Sequence, residues 1–196
     1  MSNRLLRPLA LAGGAAMLAA AAVAGATPAQ AFKIHYQHLS DNYDPNELHY
    51  AGDDRDFWTV VLGNPFGAPQ QVVDGAVTDA MSDTRWGKRT HFTTTPDDSA
   101  RTSYRIIMLI NGNTATGNRI CGYHPDQPLG PGDHGSKVHV VATFCRGAYA
   151  LTQAVGSVDA AGVDDPEFRR FIHQLMANLL PMENPNRPRG DGNWRR

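Results

Sequence analysis

Residues 137–155, KVHVVATFCRGAYALTQAV, decide the fold of this chain. Apolar and polar side chains alternate over residues 137–145, which is the period of a β-strand with one buried face. Arg146 and Gly147 then offer a tight turn, and residues 149–155 are again rich in apolar side chains. The stretch therefore predicts a β-hairpin, and the rest of the domain must supply a sheet that contains it.

Three further stretches predict strands of that sheet. Residues 57–62, FWTVVL, are aromatic and β-branched and end at a Gly-Asn-Pro turn. Residues 104–110, YRIIMLI, form a continuous apolar run, which is typical of a central strand covered on both faces. Residues 90–95 indicate a short edge strand.

Apolar residues at helical spacing predict two amphipathic helices. The first begins at Pro69 and places residues such as Val73 and Val77 on one stripe. The second begins at Asp164 or Asp165 with Pro166 in its first turn, and it ends before Pro181. The fold class expected from these elements is α+β: a two-layer sandwich with a mostly antiparallel sheet of about four strands and two helices.

Residues 1–31 have the pattern of an export signal. Arg4 and Arg7 precede an apolar stretch rich in alanine, and Ala29 and Ala31 are small residues at the positions that a signal peptidase reads. We expect cleavage near Ala31 and a periplasmic or secreted bacterial protein with no transmembrane segment after cleavage. The alternative is a retained membrane anchor, which the Ala- and Gly-rich composition disfavours.

Composition bounds the rest of the chain. Removing residues 1–31 takes away two arginines and no acidic residue, so the formal net charge changes from −1 to −3. This balance gives no reason to expect a nucleic-acid partner. Residues 32–56 are polar and lack periodicity, which predicts an extended arm; residues 57–181 predict a single domain, and residues 182–196 a disordered tail.

Cys121 and Cys145 are the only cysteines of the chain. In an oxidising compartment an isolated pair predicts one structural disulfide. The alternative, a redox-active or metal-binding pair, usually shows a short Cys-x-x-Cys spacing that is absent here. The pairing removes cysteine as a nucleophile.

The loop over residues 111–136 is dense in Gly, Pro, Asn and Asp, and long loops of this kind often carry function. The candidate binding residues in and beside it are His124, Asp126, Asp133, His134 and the mid-strand His139. A hydrolase that uses the His and Asp side chains of this loop is one alternative, although no Gly-x-Ser-x-Gly elbow accompanies them. Neighbours in a loop rarely have the geometry of a catalytic triad.

Histidines of the predicted arm suggest a weak metal site as another alternative. His35, His38 and His49 lie among carboxylates, and imidazole with carboxylate suits Cu(II), Ni(II) or Zn(II). An unstructured arm would not hold such ligands in place. We therefore predict no cofactor.

Three short segments carry a resemblance to a known group of proteins. The Asn-Pro-Phe turn at 64–66, the Ala-Thr-Phe-Cys-Arg-Gly corner at 142–147 and the Asp-Pro-Glu-Phe helix start at 165–168 resemble uncharacterised exported proteins of alphaproteobacteria. The resemblance covers about residues 57–181 and implies no activity. By architecture alone the chain is also similar to small envelope accessory proteins that assist outer-membrane assembly. We expect a noncatalytic binding or envelope-accessory module whose partner is an envelope protein or a small ligand, bound in an apolar patch or groove at the 111–136 loop.

Overall fold

A computed structural model describes residues 31–82, 90–113, 117–123 and 136–186. In these ranges six strands form one sheet, and four helices accompany them. In chain order the elements are β1 (Phe32–Leu39), α1 (Pro45–Gly52), β2 (Asp56–Leu62), α2 (Gln70–Ser82), β3 (His91–Thr93), β4 (Tyr104–Ile110), α3 (Gly117–Cys121), β5 (Val138–Arg146), β6 (Tyr149–Val158) and α4 (Pro166–Leu179). Residues 1–30 of the predicted signal and residues 187–196 of the predicted tail lie outside the described residues. The described start of that tail differs from the expected disorder, because the Asn184 side chain donates to the Ser40 and Tyr43 carbonyl oxygens.

The strand order in the sheet is β1-β6-β5-β4-β2-β3. β1, β6, β5 and β4 pair antiparallel, whereas β2 pairs parallel with both β4 and β3. The sheet is therefore mixed and six-stranded, and the expectation of about four mostly antiparallel strands with two helices is corrected. The parallel pairing arises because α2 follows β2 and carries the chain back to the end of the sheet where β2 begins. Strand β3 therefore runs in the same direction as β2.

The predicted hairpin and the predicted central strand are confirmed. β5 pairs antiparallel with β6 across the tight turn at Gly147, whose φ of 59° suits glycine. β4 lies between β5 and β2, and its last five residues are buried. A continuous apolar run marks such a strand because both of its faces are covered.

Helices α2 and α4 pack against one face of the sheet and form the main core with it. At the start of α4 the Asp165 side chain accepts a hydrogen bond from the Glu167 amide, and Pro166 occupies the first turn. The buried stripe of α4 consists of Phe168, Phe171, Ile172, Leu175, Met176 and Leu179. No helix among the described residues has the length and apolarity required to cross a membrane.

The structure differs from the expectation of an extended arm over residues 32–56. Strand β1 pairs with β6 along its length, and α1 follows it. Tyr43, between them, is fully buried, and its hydroxyl donates a hydrogen bond to the Pro181 carbonyl oxygen at 2.7 Å. The strand pattern is weak because β1 is an edge strand whose polar side chains face water.

The opposite edge strand, β3, is held to β2 by a buried and an exposed contact. The Phe57 and Phe92 rings lie 5.4 Å apart in the core. At the surface, His91 Nδ1 donates to Asp56 Oδ1 at 2.7 Å, and the Asp97 amide donates to Asp56 Oδ2 at 3.0 Å. The His91 hydrogen bond, followed by the Asp97 amide, lowers the pKa of the Asp56 carboxyl from its ordinary value.

Replacing Asp56 with asparagine is expected to make the free energy of unfolding vary less with pH in the acid range. A carboxyl with a depressed pKa stabilises the fold above its unfolded pKa, and this contribution is lost as the pH falls through the folded value. Asp56→Asn should therefore lower the free energy of unfolding at pH 7, by less than about 1 kcal/mol because His91 is exposed. Urea unfolding at a series of pH values measures this. A difference from wild type that stays constant down to about pH 3 would contradict the assignment.

Candidate functional site

The face of the sheet opposite α2 and α4 carries the short helix α3. The centre of this face is a second, smaller apolar cluster that contains Ile107, Leu109, Val141 and Ile120. Around Thr143, Gln153 and Ser157 the same face becomes polar toward β1. This face, and not the helical core, is where α3, the described helix of the predicted loop, meets the sheet.

A disulfide fastens α3 to the sheet and confirms the predicted pairing. Cys121 in α3 and Cys145 in β5 have an S–S distance of 1.97 Å and a Cα–Cα distance of 5.5 Å. The Arg105 guanidinium donates a hydrogen bond to the Cys121 carbonyl oxygen, and burial lowers the pKa of that guanidinium. The last residue of α3 is thus held covalently to β5 and by a hydrogen bond to β4.

The first turn of α3 is fixed to β6. Asn118 Oδ1 accepts a hydrogen bond from the Ala150 amide at 2.8 Å. A Cβ atom at Gly117 would lie 2.6 Å from Ala150 Cβ, so the approach of α3 to β6 requires glycine at this position. Both ends of the helix are therefore immobilised against the hairpin.

A polar groove runs over β6 between α3 and the end of β1. We call it the α3–β1 groove; it consists of two adjoining cavities of about 340 and 370 Å³ that share Ser40, Asn118 and Ala150. The first cavity is further lined by Tyr36, His38, Gly117 and Gln153. The second is further lined by Asn42, Arg146, Tyr149 and Leu151. Each cavity has the volume of a small-ligand site.

The charges of the α3–β1 groove are largely compensated. None of the described lining residues is acidic, and Arg146 forms an ion pair with Glu47, whose side chain is 16% exposed. Burial and the Glu47 charge raise the pKa of the neighbouring Tyr104. Hydroxyl, amide and aromatic groups therefore dominate the described lining. The apolar patch or groove expected at the 111–136 loop stays a prediction, because residues 114–116 and 124–135 lie outside the described residues.

His139 belongs to β5 and contacts β1 at His35, outside the lining of the groove. Its ring stacks on that of His35 at a centroid distance of 6.3 Å, and His35 Nε2 is 2.7 Å from Ser157 Oγ. The His139 amide donates to Asn111 Oδ1 at 2.7 Å, and the Asn111 amide donates back to the His139 carbonyl at 2.8 Å. His139 thus belongs to a polar contact that joins three strands.

The remaining predicted site residues are dispersed or lie outside the described ranges. His124, Asp126, Asp133 and His134 fall in residues 124–135, outside them. His38 lines the groove, whereas His49 contacts Asp53 at the C-terminal end of α1. The structure does not bring His35, His38 and His49 together, and the described ranges hold no group of three or more His, Cys, Asp or Glu that could bind a metal.

Sequence reasoning missed most of the groove residues. Tyr36, His38 and Ser40 alternate along the chain, and this period-2 pattern is the signal that could have placed them on one face of a strand. Asn118 and Gln153 have no comparable signal, because each is one polar residue in an otherwise ordinary segment. Only the packing of α3 over β6 places them in the same cavity.

Comparison with known proteins gives two structural likenesses. No protein-family model matches the chain, and no curated protein matches it. The chain is similar to a variant PelC dodecamer from Paraburkholderia phytofirmans at a TM-score of 0.42 and 10% identity, covering 78% of this chain and 99% of that one. A second PelC dodecamer from the same organism gives 0.41 and 11%, with 76% and 97% covered. Both TM-scores lie below 0.5, so the proposals that follow rest on the residues of this chain alone.

Proposed function

We propose that this protein is exported to the periplasm or secreted, and that it acts there as a noncatalytic binding module through the α3–β1 groove. The observation that carries the proposal is the groove itself: three segments distant in sequence enclose two adjoining polar cavities. An envelope-accessory role, delivering or holding a ligand for other envelope components, fits such a module.

The export half of the proposal is supported at residue 31. Ala31, the last residue of the predicted signal, directly precedes β1. Cleavage there would leave every described strand and helix intact. The buried Cys121–Cys145 disulfide suits an oxidising compartment.

The binding half is supported by how firmly the walls of the groove are held. One wall, α3, is fixed by the disulfide and by Asn118, and the other is a strand paired along the sheet. A site that is already formed avoids the entropy of ordering its walls when a ligand binds. Because the lining holds His38 but no carboxylate, it offers no acid–base pair of the kind hydrolysis uses. This concerns the α3–β1 groove alone, since the residues of the hydrolase alternative, His124, Asp126, Asp133 and His134, lie outside the described residues.

Isolation of the protein from its native envelope tests both halves. We expect an intact mass that corresponds to a chain beginning at Phe32, and native mass spectrometry should detect a bound small molecule on that chain. Ser40→Tyr should reduce the bound fraction, since the new ring would occupy the part shared by both cavities. Ser82→Tyr, an exposed position at the end of α2, is the matched control.

Three outcomes would contradict the proposal. A chain that keeps its first 31 residues in the membrane fraction would replace export by anchoring. A chain isolated without any bound molecule would remove the support for binding. A bound molecule retained equally by Ser40→Tyr and Ser82→Tyr would place binding outside the α3–β1 groove.

A further inference from the structure

We propose that the α3–β1 groove binds an uncharged, hydroxyl-rich sugar chain. The inference rests on the proposed binding function and names the ligand class of the same site. Three properties of the groove carry it. They are a pair of exposed parallel rings, a set of amide and hydroxyl groups, and the pairing of the charged Arg146 of the described lining with Glu47.

The rings belong to Tyr36 and His38, which follow each other on one face of β1. Their planes are within 7° of parallel with centroids 6.5 Å apart, and Tyr36 is 51% exposed. The exposed Tyr36 ring therefore offers an apolar surface at the rim of the first cavity. A sugar ring presents a C–H face that covers such a surface and removes it from water, while its hydroxyl groups project sideways.

The sides of the groove supply hydrogen-bond partners for those hydroxyl groups. Asn118 accepts from the Ala150 amide through Oδ1, so its amide nitrogen remains a donor on the groove side. The Ser40 hydroxyl accepts from the Asn42 amide and keeps its own proton to donate. Hydroxyl groups both donate and accept, so they match this mixed set better than a ligand that only accepts or only donates.

The charge of the groove favours a neutral ligand. Among the lining residues that the structure describes, Arg146 is the one guanidinium, and Glu47 already pairs with it. A carboxylate or phosphate on the ligand would meet a guanidinium whose charge Glu47 already compensates, so the lining attracts it only weakly. An ammonium group on the ligand would meet no carboxylate in the lining.

The floor of the groove disfavours an extended peptide. Peptides that bind sheets use main-chain hydrogen bonds to an unpaired strand edge. The floor is β6, which pairs with β5 on one side and, from Thr152 onward, with β1 on the other. Before Thr152, the Ala150 amide donates to Asn118 and the Leu151 carbonyl accepts from the Ser40 amide. A ligand in the groove therefore contacts side chains, and the two adjoining cavities suit several linked sugar rings rather than a single one.

The test is isothermal titration of the mature chain, residues 32–196, with neutral hexasaccharides: cellohexaose, maltohexaose and chitohexaose. At least one should bind, with a Kd between about 10 µM and 1 mM because the groove is open to solvent. Tyr36→Ala should weaken that binding at least about tenfold, and Tyr36→Phe should restore it because the ring remains. Tyr50→Ala, which removes an equally exposed tyrosine outside the groove, should leave the Kd unchanged.

Comparison ligands decide between chemistries. Hexagalacturonate supplies the same hydroxyl groups with carboxylates, and a Gly-Ser hexapeptide supplies an uncharged extended main chain. Binding of either one in preference to all three neutral hexasaccharides would overturn the inference, and so would failure of all three to bind. Equal loss of affinity in Tyr36→Ala and Tyr50→Ala would also overturn it, since the parallel rings would then have no specific part.

The failure of this inference can be told apart from failure of the proposed function. If no sugar binds but the molecule isolated with the protein is still lost in Ser40→Tyr, the groove binds another ligand class and only the sugar assignment is wrong. If Ser40→Tyr changes neither the fraction of protein that carries the isolated molecule nor the Kd for the hexasaccharides, the groove is not a binding site and both proposals fail together.

Discussion

Phe144→Ala is expected to lower the free energy of unfolding by about 3–5 kcal/mol and the melting temperature by about 10 °C. Phe144 in β5 is fully buried, and its ring contacts Tyr43, Phe57 and Tyr104 at centroid distances of 6.4, 5.7 and 6.1 Å. Its removal leaves a cavity where the segment before α1, strand β2 and strand β4 meet, because neighbours held by a sheet relax only partly. Urea unfolding followed by circular dichroism measures the loss.

Tyr149→Ala is the matched control for this prediction. Tyr149 belongs to the same hairpin but is 71% exposed, so its truncation should change stability by no more than about 0.5 kcal/mol. A loss below about 1 kcal/mol for Phe144→Ala would contradict the packing described here. It would mean that the segment around Tyr43 is not part of the core.

Replacing both Cys121 and Cys145 with serine is expected to destabilise the protein by about 3–4 kcal/mol. The bond joins residues 24 apart in sequence, and in the chain-entropy account it restricts the unfolded chain by closing that loop. Both cysteines are fully buried, so the serine hydroxyls add a desolvation cost. The measurement is urea unfolding of the wild type and the double variant, each with and without dithiothreitol.

The reductant serves as the internal control. Dithiothreitol should shift the wild type toward the double variant and should leave the double variant unchanged. A wild type whose stability is insensitive to dithiothreitol after full reduction would contradict a stabilising role for the bond. If the bond also holds α3 in place, the double variant should bind neutral hexasaccharides more weakly than the wild type.

Several elements could be predicted because their local pattern and their packing agree. The apolar run of β4, the alternation of β5 and the capped stripe of α4 each identify an element within a few residues. In β4 and α4 the buried positions are also the apolar ones, and in β5 Thr143 is the one polar residue among them. Strand β1 departs from this rule, because its outward face and edge are polar and its pairing with β6 lies more than 100 residues away in sequence.

The candidate site was predicted only in part. The 111–136 loop was expected to meet the sheet, and α3 within it does so through the predicted disulfide. The ligand-facing residues were expected from the histidines and aspartates of that loop. The described groove instead uses Tyr36, Ser40 and Gln153, whose proximity follows from strand order and from no local pattern.

The sequence by itself determined the hairpin, the central strand, the two amphipathic helices and the cysteine pairing, because each depends on periodicity, capping or a single possible partner. Tertiary structure alone decided that β2 runs parallel to its neighbours, that residues 32–56 belong to the fold, and that α3 and β1 enclose a polar groove. These features depend on contacts between distant segments, whose free energies no local window of sequence contains. The groove is therefore a property of the strand order, and its residues take on a binding role only through it.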